Sequence, residues 1–201
     1  KRIAVVGTPC QINSLQRVKK AGMKILSIGV TCSSGTSYLA TQEYKHLMKA
    51  TDSVMYYRGN GWPGYNSLYM GEESIENYHT GSLFERMFSS QIFKNPGCRK
   101  CSDHFAENAD ISFCDFWNAE EMSTEKIGNS CVIVRSKCGK RIFDDMISEG
   151  VVSVVRELEK KEVIKSQYGV LKAKKGNLKK KSGYTLFIWM IDIVRKTKVF
   201  R

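Results

Sequence analysis

The N-terminal part of this chain alternates short apolar runs with amphipathic segments, and this alternation limits the folds open to it. Arg2–Gly7 and Lys24–Val30 have the composition of buried strands, and Gln11–Lys20 and Tyr38–Ala50 carry apolar residues at helical spacing. A strand–helix–strand–helix order favours a parallel sheet with crossover helices. The sequence therefore predicts an α/β fold with a parallel β-α-β-α start.

The middle of the chain departs from this order and predicts antiparallel strands. Ser53–Tyr57 and Ser67–Met70 are too close in sequence for a crossover helix, so we expect an antiparallel pair. The expected class is α/β with partial α+β character, in which a mixed sheet has antiparallel additions. Later strands are expected at Asp110–Cys114, Cys131–Arg135 and Val151–Val155, and later helices at Ser82–Phe93 and Gly139–Ser148.

Positive charge is concentrated at the C-terminal end. Of the net charge of +12, residues 156–201 contribute +10, from 14 Lys and Arg against 4 Asp and Glu. A nucleic-acid-binding domain would spread basic residues over a folded face with interleaved aromatics, so no nucleic-acid partner is expected. We expect one domain over residues 1–155 and a basic helical tail over residues 156–201.

The tail combines a charged helix (Glu157–Lys175), a lysine-rich linker (Lys172–Lys181) and an apolar segment (Tyr184–Val194). The apolar segment is too short to span a bilayer, but it suits peripheral contact with a membrane surface or packing on the domain. With no signal peptide, a cytoplasmic location is expected. Because the first residue is Lys1 rather than Met and a strand-like run (Ile3–Val6) begins at once, we interpret the chain as a fragment that lacks its N-terminal part.

Seven cysteines are many for 201 residues. Without a secretion signal, reduced thiols or metal ligation explain them better than a disulfide framework. Cys98 and Cys101 form a CxxC motif after a Pro-Gly break, where the intervening turn brings both sulfurs to one side. This motif is half a site, because a zinc ion or a [4Fe–4S] cluster needs about four ligands. Ordinary buried thiols are the alternative.

Two more cysteines are placed to complete such a site. Cys10 and Cys32 each follow a strand of the predicted parallel pair, at the carboxyl edge where open α/β sheets place their sites. The dipole of the helix that follows Cys10 favours the thiolate form. Ordinary burial is again the alternative. His104 follows the CxxC at a spacing suitable for a Cys3His zinc site, although a lone histidine of this kind is more often a surface residue. The remaining cysteines, expected in strand cores or a turn, are Cys114, Cys131 and Cys138.

A glycine-rich segment at residues 57–64 is the second unusual feature. Its glycines let the backbone approach a ligand closely, Arg58 can pair with phosphate, and Trp62 offers a flat apolar face. This combination suits a dinucleotide or a flavin. From these residues alone, a tight turn between two strands is the favoured interpretation.

Taken in order, these segments resemble one known family. Residues 7–11 resemble its GTPCQ signature, residues 30–37 its next cysteine-containing segment, and residues 58–64 its R-x-x-G-W loop. Residues 98–101 and 109–117 resemble its CxxC and ADI-x-x-GDFW pair. The family is the beta subunit of coenzyme F420 hydrogenases and dehydrogenases, chiefly its C-terminal domain, and the match covers roughly residues 1–150.

The resemblance implies an iron–sulfur flavoprotein oxidoreductase that passes electrons between a [4Fe–4S] cluster and FAD, with F420 or another hydride carrier as partner substrate. It implies other redox subunits or ferredoxin-type carriers, and the missing N-terminal part, as partners. The implied cluster ligands are Cys10, Cys32, Cys98 and Cys101. The implied flavin contacts are Gly7, Thr8, Pro9, Arg58, Gly61 and Trp62, with Asp115 and Trp117 near the cofactors.

The sequence departs from the family pattern at Cys114, where the family usually has glycine, which implies either different packing beside the cofactors or a fifth thiol near them. Family members also occur in bacteria without F420 and in polysaccharide-synthesis gene clusters. Two alternatives therefore stay open. One is a structural zinc module that uses the same four cysteines, with or without His104. The other is a non-redox member associated with surface polysaccharide biosynthesis.

Overall fold

The computed structural model of the chain describes residues 2–78, 80–124 and 127–176. It divides into two compact units, each assembled from separate stretches of sequence. Unit 1 holds Lys1–Ser33, Cys101–Glu121 and Asn129–Lys174. Of the described residues, unit 2 holds Ser34–Lys100, Met122–Gly128 and residues 175–176.

The helices and strands follow in chain order. The strands are β1 (Arg2–Gly7), β2 (Lys24–Val30), β3 (Val54–Gly59), β4 (Tyr65–Met70), β5 (Glu73–Tyr78), β6 (Ile111–Asp115) and β7 (Ser130–Val134). The helices are α1 (Pro9–Val18), α2 (Leu39–Leu47), α3 (Leu83–Ser89), α4 (Ala119–Thr124), α5 (Lys137–Ser148), α6 (Lys160–Ser166) and α7 (Tyr168–Gly176). A short 3₁₀ helix covers Pro96–Lys100.

Unit 1 is built on a four-stranded sheet with the order β1-β2-β6-β7. β1 pairs in parallel with β2, and β2 with β6, whereas β7 is antiparallel to β6. The α1 helix connects β1 to β2, as expected for a crossover between parallel strands. The expected α/β class, with a parallel start and an antiparallel addition, is confirmed.

The core of unit 1 lies in two clusters. Ile12 of α1 is fully buried against Ala106 and Ala109. Cys114 and Cys131 lie directly opposite each other on β6 and β7 and are both buried, as expected of strand-core cysteines. Partly buried side chains pack against this second cluster, and they include Leu158 and Val163 from the predicted tail.

Unit 2 contains the predicted antiparallel pair, in a sheet of its own with the order β3-β4-β5. Tyr44 of α2, Leu68 of β4 and Phe84 of α3 form its core, and the Tyr44 and Phe84 rings meet edge to face at 5.3 Å. We did not expect β5. Glu73–Tyr78 has mostly polar, exposed residues, and its strand conformation comes from pairing along β4 rather than from an apolar pattern.

The predicted last strand at Val151–Val155 is wrong. These residues belong to neither sheet, and the side chains of Val151, Val154 and Val155 are 64%, 49% and 75% exposed. The N–H group of Val151 donates to Met146 O at 2.9 Å, which extends the end of α5. An apolar run forms a strand only where a neighbouring strand can pair with its backbone.

The predicted helix over Glu157–Lys175 is split into α6 and α7 at Gln167. Gln167 is buried, and its side chain bonds to His104 and to the carbonyl of Asp115. The apolar segment Tyr184–Val194 and the linker beyond residue 176 lie outside the described residues. Within the described residues, no helix is long and apolar enough to cross a membrane.

Candidate functional site

Cys10 and Cys32 occupy matching positions at the carboxyl edge of the unit 1 sheet. Gly7 of β1 is the register partner of Gly29 of β2, and each cysteine follows its glycine by three residues. Cys10 is the second residue of α1, at the positive N-terminal end of the helix dipole. Cys10 is exposed and Cys32 is half-buried.

The turn before Cys10 is shaped by the start of α1. A Cβ atom on Gly7 would lie 3.0 Å from Gln11 Cβ, so this buried position has little room for a side chain. The N–H of Thr8 donates to Gln11 Oε1 at 2.8 Å, and Pro9 starts the helix, where no backbone donor is needed. The structure of this turn is enough to explain why Gly7, Thr8 and Pro9 occur here. Contact of these residues with a flavin stays a prediction.

The segment that follows Cys101 forms hydrogen bonds with the segments that contain Cys32 and Cys10. The N–H of Cys32 donates to His104 O at 3.0 Å, and His104 Nδ1 lies 3.1 Å from Cys32 O. Asn13 Nδ2, one helical turn beyond Cys10, lies 3.5 Å from Asp103 Oδ2. Unit 1 therefore brings the chain around Cys10, Cys32 and Cys101 to one edge of its sheet.

His104 is already engaged on both sides of its ring. It is 3% exposed, with Nδ1 facing Cys32 O and Nε2 lying 3.0 Å from Gln167 Oε1. Gln167 in turn donates to the carbonyl of Asp115. A zinc site of the Cys3His type would have to break one of these buried hydrogen bonds, which makes His104 a poor ligand.

Cys98 lies in unit 2, where its sulfur accepts a backbone hydrogen bond. The N–H of Gly35 donates to Cys98 Sγ at 3.1 Å, and Cys98 N–H donates to Asn95 O at 3.0 Å. A Cβ atom on Gly35 would lie 2.9 Å from Asn95 Nδ2 and 3.5 Å from Cys98 Sγ. Only glycine lets the backbone come this close to the sulfur without displacing Asn95.

The seven cysteines all lie in the described residues, and none forms a disulfide. In that part of the chain, no three or more His, Cys, Asp or Glu side chains are gathered closely enough to hold a metal ion. The set Cys10, Cys32, Cys98 and Cys101 offers four thiols, which is the donor chemistry of a [4Fe–4S] cluster. The ligand set stays a prediction, supported by where the backbone puts each residue.

The remaining cysteines have a structural explanation. The hydrogen bond with Cys131, together with burial, raises the pKa of the Cys114 thiol, so Cys114 stays protonated in the core. A protonated thiol is a poor metal ligand because metals bind the thiolate. Cys138 is exposed on α5, far along the chain from the CxxC motif.

The loop at residues 58–64 is a tight connection between β3 and β4 in unit 2. Asn60, Gly61 and Gly64 have positive φ angles of 57°, 92° and 85°. A Cβ atom on Gly64 would lie 2.5 Å from Gly59 O, so the turn requires glycine there. Half-buried Trp62 packs closely against Gly128, where a Cβ atom would be 2.8 Å from its Cγ.

The residues expected near a flavin are therefore spread over both units. Gly7, Thr8 and Pro9 lie in unit 1, as does half-buried Asp115 at the end of β6, followed by half-buried Trp117. Arg58, Gly61 and Trp62 lie in unit 2, and Arg58 and Gly61 are exposed. The turn explanation for the loop has direct structural support, and flavin binding stays a prediction.

Comparison with known proteins identifies the family. Residues 1–161 match the family model that describes the C terminus of the coenzyme F420 hydrogenase/dehydrogenase beta subunit. The chain belongs to this family. The coenzyme F420 hydrogenase subunit beta of Methanococcus voltae is 23% identical over 162 residues, which are 76% of this chain and 51% of that protein. The chain thus spans about half the length of this curated relative.

A solved structure of the F420-reducing [NiFe] hydrogenase complex from Methanosarcina barkeri contains a chain with a similar fold. The TM-score is 0.58 and the sequence identity 18%, over 91% of this chain and 62% of that one. Membership of the family confirms the resemblance drawn from the sequence motifs, and the similar structure supports the mixed α/β fold.

Sequence reasoning missed the residues that support the cysteines. Gln167 and Lys174 are buried in unit 1, and both bond to the segment that follows Cys101. Lys174 lies in a lysine-rich run, and the sequence does not show which lysine of such a run is buried. The requirement for glycine at position 35 likewise cannot be inferred from the sequence, because it arises from the close approach of Cys98 in the folded chain.

Proposed function

We propose that this chain is the core of an iron–sulfur flavoprotein that acts as an oxidoreductase within a larger assembly. Cys10, Cys32, Cys98 and Cys101 ligate a [4Fe–4S] cluster, which exchanges electrons with FAD. A hydride carrier of the F420 type, or another carrier, is the two-electron partner. Other redox subunits or ferredoxin-type carriers are the one-electron partners.

The arrangement of unit 1 carries this proposal. Cys10 and Cys32 lie at equivalent positions after two adjacent parallel strands. The segment after Cys101 forms hydrogen bonds with the segments that contain these two cysteines. Cys98 is three residues before Cys101 in the same chain, so one short loop supplies two thiols. Four thiols supplied by three segments of the chain have the donor chemistry of a [4Fe–4S] cluster.

The protein's own groups prepare the sulfurs for metal binding. The N-terminus of α1 stabilises negative charge on Cys10. The N–H of Gly35 stabilises it on Cys98 through the 3.1 Å hydrogen bond. A bound flavin would supply the exchange between a hydride and single electrons, while the chain sets distance, burial and charge.

The flavin part rests on the family and on the residue types in two turns. Gly7, Thr8 and Pro9 form the turn before α1, and Arg58 is a charged, exposed side chain at the start of the loop before β4. A guanidinium is a suitable partner for a phosphate of FAD. Asp115 is the last residue of the third parallel strand of unit 1, and Trp117 follows that strand.

An anaerobic purification tests the cluster directly. We expect about four irons and four labile sulfides per chain, with a broad visible absorption. In Cys98→Ser and in Cys32→Ser we expect the iron, the sulfide and this absorption to be lost. Cys138→Ser is the matched control because it removes an exposed cysteine outside the set, and it should keep the iron. Adding FAD to the iron-loaded protein and recording its flavin spectrum then tests the second cofactor.

The result also separates the proposal from its alternatives. One zinc per chain with no iron would replace it by a structural zinc module. Full iron content in Cys98→Ser would remove Cys98 from the ligand set. A protein without metal in every variant would contradict the cluster and favour the non-redox alternative.

A further inference from the structure

Lys174 is a buried lysine whose partner is one of the proposed cluster ligands. Its side chain is 5% exposed, although Lys172 and Lys175 on the same helix are exposed. Its Nζ lies 3.6 Å from Cys101 Sγ and donates a short hydrogen bond to the carbonyl of Asp103. Lys174 also lies beyond residues 1–161, which the family model covers.

The burial of this lysine calls for a negative partner. A buried ammonium group is costly unless it is paired with opposite charge and hydrogen-bonded. Among the described residues, no carboxylate forms an ion pair with Lys174, and its contacts are a carbonyl and a cysteine sulfur. A neutral thiol offers little compensation, whereas a thiolate bound to iron is negatively charged and accepts N–H hydrogen bonds.

We propose that Lys174 is a positioning residue that holds the Cys101 sulfur and raises the reduction potential of the cluster. This inference rests on the proposed function, because it needs Cys101 to be a ligand. Reduction adds one electron, and so one negative charge, to the cluster. A fixed positive charge and an N–H···S hydrogen bond stabilise the reduced form more than the oxidised form, so the potential rises.

A redox titration of the anaerobic chain, followed by EPR, tests this role. Dithionite supplies the electron, and the signal of the reduced cluster is recorded against the solution potential. In Lys174→Met, which keeps the length of the side chain but removes its charge, we expect the ratio of reduced to oxidised cluster at a given potential to fall about tenfold. This corresponds to a downward shift of about 59 mV for a one-electron couple.

Two further variants control the experiment. Lys174→Arg keeps the charge and the donors, and its potential should stay near that of the unchanged chain. Lys172→Met removes an exposed charge from the same helix, and it should change neither iron content nor potential. Iron and sulfide analysis of each variant shows that the titrated species is the intact cluster.

The outcomes separate the two proposals. An intact cluster with the same potential in Lys174→Met would overturn the role of Lys174 and leave the proposed function standing. Loss of the cluster in Lys174→Met alone would show that Lys174 is needed for the cluster to be held. It would contradict the proposal that Lys174 acts by raising the reduction potential. An unchanged chain without iron would contradict the proposed function and this inference together.

Discussion

Asp110 shows how one carboxylate fastens two segments of unit 1. Its Oδ2 accepts the N–H and the hydroxyl of Ser27 at 2.8 and 2.7 Å, which ties the start of β6 to β2. Burial raises the pKa of this carboxyl, but hydrogen bonds from Ser136 and Ser27 outweigh it, so the pKa lies below its ordinary value of 3.8. The ionised form is therefore the one that stabilises the fold.

Replacement of Asp110 by asparagine should give a stability loss that depends on pH. At pH 7 we expect Asp110→Asn to lower the free energy of unfolding by about 1–2 kcal/mol. Because the folded-state pKa is depressed, this contribution is complete above the ordinary pKa and is lost as the pH falls through the folded-state value. Urea unfolding at pH 7 and near pH 3 measures the difference.

Asp52→Asn is a suitable control for this prediction, since Asp52 is an exposed residue in a turn of unit 2. It should change the stability by less than about 0.5 kcal/mol at either pH. An equal loss for Asp110→Asn at both pH values would contradict an ionised, hydrogen-bonded Asp110.

Between elements, β2 packs very closely against the segment before β6. A Cβ atom on Gly29 would overlap that of Ala106 and lie 3.0 Å from Ala109 Cβ. These alanines are buried against Ile12 of α1. The strand and the chain that leads into β6 therefore meet at a distance that only glycine allows.

Gly29→Ala should destabilise unit 1 through overpacking. We expect a loss of about 1–3 kcal/mol in the free energy of unfolding, because backbone or core side chains must move apart. Gly59→Ala is the matched control, since a Cβ atom on this strand glycine has nothing within 4 Å. Chemical denaturation of both variants gives the comparison, and equal stabilities would show that the segment before β6 is not held against β2.

The split between α6 and α7 has a similar tertiary origin. The sequence pattern predicts one charged helix, yet the helix is interrupted where buried Gln167 bonds to His104 and Asp115. The side chain of Val163 on α6 packs against the cluster of Cys114 and Cys131. After this break, Lys174 of α7 reaches Cys101 and the carbonyl of Asp103.

For the whole molecule, the positive charge of residues 156–201 lies in two parts of the chain, one up to residue 176 and one beyond it. Up to Lys174, the region predicted as a tail belongs to unit 1, and its apolar residues contribute to that core. Residues 177–201 carry 7 Lys and Arg against 1 Asp. Each basic residue near an anionic membrane surface contributes about 1 kcal/mol of attraction, so this stretch has enough charge for peripheral binding.

Removal of residues 177–201 should abolish binding to anionic vesicles while leaving every described residue in place. Pelleting with phosphatidylserine-containing liposomes measures the bound fraction. Phosphatidylcholine vesicles and added salt are the controls, because both weaken an electrostatic attachment. Equal pelleting of the full and shortened chains would refute a membrane role for these residues.

Much of the fold followed from local patterns, because each depends on a few neighbouring residues. The bounds of β1 and β2 were predicted as they are found, and their parallel pairing followed from the helix between them. The same order of elements predicted that Cys10 and Cys32 lie at one edge of the sheet. The motifs gave the family, since a joint pattern of several short segments is specific even where each segment is weak.

Tertiary structure alone decided which polar residues became buried and which apolar residues stayed exposed. Lys174 and Gln167 gave no local signal, because their burial depends on groups more than 50 residues away. Val151–Val155 had a strand pattern but no strand to pair with. A sequence pattern specifies what a segment can form, whereas partners distant in sequence determine which of those forms is stable.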